Sequence, residues 1–313
     1  MVTIAYHDST GETQKQQLWA DRLQQRLGDV RLVALTSPEA AAAEIALVWS
    51  PPHGRLCQLE ALKLIVSLGQ GVDHLFSDPH LPDTVPLVRL VDPNMSHALS
   101  QWVILTLLDY LRDGPAYRAA AAQRRFQSLP QRQTEDLPVA VYGLGAIGSV
   151  IAERLAALGF AVHGWSRSPR DAAGLIQTYH GAEGFSQLLS ACKIHICILP
   201  LTPETQGLFN ARTFAEMPAG SYFINGGRGR QVNEDDLLAA VRSGHLDGAA
   251  LDVFVNEPLP QSHPFWTEDR ISVWPHVAAQ TNPDTAADQV AQAIRAVLNG
   301  DSPDHRVDKD KGY

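Results

Sequence analysis

A chain of 313 residues is long enough for two domains of ordinary size, and 45% hydrophobic with 19% charged residues describes a globular protein rather than a disordered or fibrous one. The formal net charge of −9 argues against a nucleic-acid surface or a basic membrane patch, although a local cluster of donors can still bind a small anion. With no basic-then-apolar leader, no run approaching the ~20 apolar residues of a membrane span, and only Cys57, Cys192 and Cys197 as thiols, a cytoplasmic protein without disulfides is expected.

In chain order, Thr3–His7 reads as a strand and Glu12–Leu27 as a polar helix with apolar teeth. Val30–Leu35, Ile45–Trp49 and Leu64–Leu68 read as buried strands. Ser96–Asp113 reads as one long, mostly apolar helix, and Gln123–Asp136 as polar surface. The pattern restarts at Leu137. Strands at Val139–Tyr142, Ala161–Trp165, Ile194–Leu199, Ser221–Asn225, Ala249–Phe254 and Ile271–Trp274 follow one another, with helices such as Ile147–Leu158 and Glu234–Ser243 between them. Gly244 closes the second of these helices. A last helix, Asn282–Gly300, cannot form a domain alone and is expected to return to the first. The fold class is α/β: two Rossmann- or flavodoxin-like parallel-sheet domains with a cleft between them. The expected division is 1–97 with 282–313 as a substrate-binding domain and 98–281 as a dinucleotide-binding domain.

Gly143-Leu144-Gly145-Ala146-Ile147-Gly148 lies between a strand and a helix, the context a dinucleotide fingerprint requires. The first glycine permits the tight turn, the second lets backbone approach a pyrophosphate, and the third lets helix pack on strand. About 20 residues on, where NAD-binding versions carry an acid for the ribose 2′-hydroxyl, the chain has Ser166-Arg167-Ser168. An arginine flanked by hydroxyls suits a 2′-phosphate, so NADP(H) is expected as the preferred cofactor, with NAD(H) weaker.

Arg228, Glu257 and His276 each follow an expected strand, and in a parallel sheet ligands sit beyond the carboxyl ends of the strands. Reduction of a ketone needs a proton donor for the developing alkoxide, which a histidine can be at neutral pH. A carboxylate beside the histidine favours its charged form and fixes its orientation. An arginine clamps a substrate carboxylate bidentately. Singly these are ordinary polar residues; behind a dinucleotide loop they acquire a joint meaning.

With these motifs the chain resembles the D-isomer-specific 2-hydroxyacid dehydrogenases. The likeness rests on GLGAIG at Gly143, LPLTPETQGLFN from Leu199, INGGRG from Ile224, EDDLLAAVRSGHLDGAALDVFVNEPLP from Glu234 and PHVAAQT from Pro275. IALVWSPP at Ile45, SLGQGVDHL at Ser67 and the ending VDKDKGY extend it. The resemblance implies Arg228 as substrate anchor, His276 as acid/base and Glu257 as its partner. It also implies cofactor contacts from Leu199, Pro200, Thr205, Asp252, His276 and the backbone at Gly226 and Gly227. The Gly69-Gln70-Gly71 loop would offer N–H groups to the substrate carboxylate, and Trp49 would shape a small pocket. The implied reaction is NADPH-dependent reduction of glyoxylate to glycolate or hydroxypyruvate to glycerate, by a homodimer packed through the long helix. Gln101 departs from the Glu that many relatives carry.

His163 and His195 fall in strands and read as core or edge residues, and the cysteines are spaced wrongly for zinc, so no metal is expected. Two alternatives stay open. One is reduction of a bulkier 2-keto acid such as phenylpyruvate. The other is a non-catalytic dinucleotide-sensing protein on the same fold.

Overall fold

The computed structural model describes residues 1–9, 13–171, 176–309 and 311–312. The expected helix start at Glu12, and Asp310 and Tyr313 of the C-terminal motif, lie outside the described residues. The chain forms two compact units, residues 1–94 with 280–313, and residues 95–279.

In the first unit the strands are β1 (Val2–Asp8), β2 (Val30–Ala34), β3 (Ile45–Trp49), β4 (Leu64–Ser67) and β5 (Leu87–Val88), with helices α1 (Thr13–Leu27) and α2 (Asp73–Phe76) between them. They form one parallel sheet in the order β2-β1-β3-β4-β5. The chain winds outward from β1 to β2, then reverses through β3 to β5, so β1/β3 is the switch point where ligand loops gather. Trp49 ends β3 and Gly69–Gly71 follow β4, both on the carboxyl edge of this sheet.

The second unit begins on the long helix. α3 (Pro93–Leu111) is followed by α4 (Gly114–Ala122), β6 (Val139–Tyr142), α5 (Ala146–Ala157), β7 (Val162–Ser166), β8 (Gln177–His180) and α6 (Gly181–Ala191). Then come β9 (Ile194–Cys197), α7 (Ala211–Glu216), β10 (Ser221–Asn225), α8 (Glu234–Arg242), β11 (Leu246–Leu251) and β12 (Ile271–Val273). The 7-stranded parallel sheet runs β12-β11-β10-β9-β6-β7-β8, with its switch point between β6 and β9. β6, β9 and β10 are wholly buried because both faces are covered. Val139, Val141, Ile194, Ile196 and Ile224 face one core with Val103 and Leu107. Ala140, Tyr142, Cys197 and Phe223 face the other with Leu188 and Leu237. Each fully buried Ile or Leu contributes ~1.5–3 kcal/mol.

α9 (Pro283–Leu298) belongs to the first unit. Its buried Ala286, Ala287, Val290, Ala291 and Ile294 form one helical face, packed in a core with Trp19 and Leu23 of α1 and Ile4 of β1. Asn282 caps it by accepting from Asp284 N at 3.0 Å.

Two expected elements are corrected. The single helix Ser96–Asp113 is α3, which stops at Leu111, and Asp113 then adopts φ 55° before α4 starts with Pro115 in its first turn. A Cβ on Gly114 would lie 1.9 Å from Asp109 Oδ1, so any larger residue at this corner would displace the Asp109 side chain from its place beside Arg118. The strand expected at Ala249–Phe254 is Leu246–Leu251. Val253 and Phe254 are buried as expected of a strand, but Phe254 N donates to Glu257 Oε1 rather than to a neighbouring strand.

Candidate active site

The phosphate loop is built where β6 meets α5. Gly143 has φ +107°, and a Cβ there would stand 2.8 Å from Ile198 O. A Cβ on Gly148 would lie 1.8 Å from Gly143 O, so α5 packs on the loop only with glycine at that position. Nothing lies within 4 Å of a Cβ built on Gly145, which leaves its backbone open to approach. The N-cap Gly145 has no side-chain bond to the first turn, so Ala146 and Ile147 carry N–H groups without intrahelical acceptors. These features fit the pyrophosphate of a dinucleotide, with the helix dipole favouring the anion.

Ser166-Arg167-Ser168 leaves β7 beside this loop. Gly143 N donates to Trp165 O at 2.9 Å, and Ser166 Oγ donates to Ser168 O at 2.8 Å. Arg167 and Ser168 are exposed. Arg170, which sequence reasoning passed over, donates through Nη1 to Leu144 O and so ties this segment to the glycine loop. Its only sequence signal was a second arginine in SRSPR. On the other side of the switch point, Thr205 Oγ1 donates to Pro200 O at 2.7 Å and accepts from Thr202 N at 2.8 Å, pinning the Leu199–Thr205 loop.

Arg228, Glu257 and His276 converge on one edge of the second unit. His276 Nδ1 and Glu257 Oε2 are 2.7 Å apart, each side chain about one-third exposed at 34% and 35%. Glu257 Oε1 accepts from Phe254 N at 2.9 Å, which stops the carboxylate from rotating. Burial works to raise the Glu257 carboxyl, but the hydrogen bond and charge of His276, the Phe254 N–H and the charge of Arg228 outweigh it and hold it below its ordinary value. Arg228 is half-buried, and its Nη1 donates to Gly227 O at 2.9 Å. A Cβ on Gly229 would fall 1.9 Å from the Phe254 carbonyl carbon, so the arginine turn is pressed against the turn that carries Glu257.

His276 has φ +55°, a left-handed conformation that costs a non-glycine residue energy unless its surroundings enforce it. Asp252 supplies the enforcement. Its carbonyl accepts from His276 N at 2.9 Å, and its carboxylate accepts from Val277 N at 2.8 Å and Ala278 N at 3.0 Å. The carboxylate expected to meet cofactor is therefore engaged by the loop that bears His276. Burial pushes Asp252 up to about 6; the two N–H groups and the His276 charge oppose that shift, and the Glu257 charge adds to it.

In the first unit, a Cβ on Gly69 would lie 2.5 Å from Trp49 Cζ3, so the loop lies directly against the indole. His74, not singled out from sequence, packs on the Trp49 ring at 4.3 Å between centroids. Gly69 N, expected to face a substrate carboxylate, donates to Ser67 Oγ at 3.4 Å. Gln70 Oε1 is buried with no partner among the described residues.

His195 is fully buried in the second unit, between Tyr142 OH at 3.0 Å and Cys192 O at 3.1 Å. Burial lowers it to about 3 and pushes the Cys192 and Cys197 thiols up to about 12, so these groups stay neutral near pH 7. Among the described residues, no cluster of three or more His, Cys, Asp and Glu can hold a metal ion, and no helix is long and apolar enough to cross a membrane.

Residues 104–278 match the family model described as D-isomer specific 2-hydroxyacid dehydrogenase, NAD binding domain. The chain is 39% identical to glyoxylate/hydroxypyruvate reductase A of Serratia proteamaculans over 300 residues, covering 94% of this chain and 96% of that protein. It is 37% identical to the protein of that name from Photorhabdus laumondii over the full length of both. Among solved structures, it superposes with TM-score 0.92 and 39% identity on a D-isomer specific 2-hydroxyacid dehydrogenase of Xanthobacter autotrophicus Py2 in complex with NADPH and MES, covering 100% of this chain and 99% of that one. The NADPH-dependent glyoxylate/hydroxypyruvate reductase of Sinorhizobium meliloti, in complex with NADP and sulfate, gives TM-score 0.91 at 35% identity over 100% of both chains.

Proposed function

The chain belongs to the D-isomer-specific 2-hydroxyacid dehydrogenases, and we propose that it reduces small 2-keto acids with NADPH, glyoxylate to glycolate and hydroxypyruvate to glycerate, with His276 as the proton donor. The observation that carries this reading is the 2.7 Å His276–Glu257 pair, beside Arg228 in the unit that holds the phosphate loop. It is an oxidoreductase that uses NADP(H), the cofactor named with its full-length structural relatives.

When bound, the nicotinamide supplies a hydride to the substrate's carbonyl carbon. The chain's own residues do the rest. Arg228 presents a planar fork of N–H donors to the substrate carboxylate and neutralises its charge. Glu257, kept ionised by its surroundings, accepts a hydrogen bond from Nδ1–H of His276 and fixes the ring. That leaves Nε2–H to donate to the carbonyl oxygen as negative charge develops there, a contribution of typically ~10²–10⁴-fold in rate. Asp252 keeps the His276 backbone in its unfavourable conformation, so the ring is aimed before substrate arrives.

The absence of a carboxylate at the end of β7 and the exposed Arg167 between two serines support NADPH over NADH. Trp49, close to both Gly69 and His74, supports a short substrate, and the Gly69–Gly71 loop is retained as a carboxylate contact. Leu105 and Tyr117 on α3 and α4, and a fully solvent-facing Phe126, support association with a second copy of this chain, which light scattering tests directly. The function itself is tested by following NADPH and NADH oxidation over a series from glyoxylate to phenylpyruvate. The expected result is the highest kcat/KM for the two- and three-carbon acids with NADPH. A preference for phenylpyruvate would move the substrate to the bulkier class, and no turnover of any 2-keto acid would overturn the enzyme reading.

A further inference from the structure

We propose that Gln231 is a positioning residue that ties the substrate-anchoring turn at Arg228 to the cofactor-facing loop at Leu199 and Pro200. The inference rests on reading Arg228 as the carboxylate anchor. Gln231 has no exposed surface, and its side-chain amide is saturated by two segments that the reaction uses separately. Its Oε1 accepts from Arg228 N at 2.9 Å and from the Cys197 thiol at 3.1 Å. Its Nε2 donates to Leu199 O at 2.8 Å and to Pro200 O at 3.1 Å. A second buried amide completes the clamp: Asn225 Oδ1 accepts from Gly227 N, and Asn225 Nδ2 donates to Arg228 O, both at 3.0 Å.

The backbone of Arg228 is therefore held at its N–H and at its carbonyl by buried side chains. Gly227 also lies close against the amide, since a Cβ there would stand 2.5 Å from Gln231 Oε1. A hydrocarbon of the same size would leave the Leu199 and Pro200 carbonyls and the Arg228 N–H without these partners. The turn and the loop would then move independently, and small displacements of an anchoring group are costly to turnover.

Gln231→Glu is the informative variant, since it keeps the shape and one acceptor while replacing the donor to the two carbonyls. In its protonated form it donates an O–H to that side and imitates the amide. In its ionised form it sets a charge against two carbonyl oxygens, and burial shifts that ionisation upward toward neutral pH. The titratable group in contact with it is the Cys197 thiol, pushed up to about 12 by burial, which keeps its proton in this window; Arg228 meets it through its backbone N–H.

Relative to the parent at each pH, Gln231→Glu is expected to stay near parental kcat/KM for glyoxylate at about pH 6 and to lose about tenfold or more at about pH 8.5, mainly through KM. Oxalate affinity by calorimetry in the presence of NADPH, and NADPH affinity alone, should weaken over the same range. Gln231→Leu should show raised KM at both pH values; if that variant does not fold, the two pH states of Gln231→Glu still decide. Ratios to the parent that stay flat with pH, or a lowered Tm with unchanged KM and oxalate affinity, would overturn the proposal. Arg228→Met, run in parallel, separates the two readings. If it keeps oxalate affinity, the anchor reading fails; if it loses affinity while Gln231→Glu does not, only the positioning role fails.

Discussion

Asp252→Asn isolates the cost of holding a charge where the His276 loop is clamped. Asp252 is 2% exposed, and burial brings its carboxyl up to about 6 from an ordinary value near 4. An acid whose folded pKa is raised stabilises the fold fully below its unfolded pKa and loses that contribution as pH rises through the folded pKa. At about pH 5 the folded group is therefore mostly protonated while the unfolded one is mostly ionised, a difference on the order of 1 kcal/mol. At about pH 8 both are ionised and the contribution vanishes. The Asn variant lacks this dependence. Its amide oxygen can accept from both Val277 N and Ala278 N, as Asp252 Oδ1 does, and any cost of the new NH₂ group is the same at every pH. Urea unfolding of parent and variant, followed by the fluorescence of Trp102, Trp165, Trp266 and Trp274, should therefore show the variant losing on the order of 1 kcal/mol relative to the parent between about pH 8 and pH 5. Stability curves that run parallel within a few tenths of a kcal/mol would sink the argument, since Asp252 would then be ionised throughout.

His276→Ala should lower kcat for keto-acid reduction by ~10²–10⁴-fold while NADPH affinity, measured by fluorescence titration, stays near parental; turnover within a few-fold of the parent would exclude His276 as the proton donor. Arg167→Asp should reverse the order of kcat/KM between NADPH and NADH, because the new carboxylate repels a 2′-phosphate and accepts from a 2′-hydroxyl. An unchanged ratio would show that discrimination lies elsewhere. Gly148→Ala should abolish NADPH binding or destabilise the second unit by several degrees in Tm, since its Cβ would meet the rigid Gly143 carbonyl at 1.8 Å. Parental Tm and affinity would mean that the loop yields.

The strands of the second unit were legible because β6, β9 and β10 are apolar on both faces, as a covered parallel sheet requires. β8 was not, because Gln177–His180 is a half-exposed polar edge with no periodicity. The Val253–Phe254 run misled for the opposite reason: burial without strand pairing looks the same in sequence as burial within a sheet. The three polar residues of the site stood out because each follows a strand. Their supports did not, since the value of Gln231 depends on carbonyls about 30 residues away, Leu199 and Pro200, which only the fold brings to it. Asp252 came into view only through the family resemblance, as a cofactor contact, and its engagement with Val277 and Ala278 was not legible.

The return of α9 to the first unit has a consequence for how the protein is made. Ile4, Leu47 and Val66 share their core with Ala287, Val290 and Ile294, which come from the last part of the chain. During synthesis β1, β3 and β4 precede α9 by more than 200 residues, so their apolar face has only the cover of α1 until α9 follows. The continuous second unit carries no such debt to the C-terminus and can fold in the interval. The first unit is therefore begun before the second and completed after it, and its apolar sheet face is the one exposed in the interval.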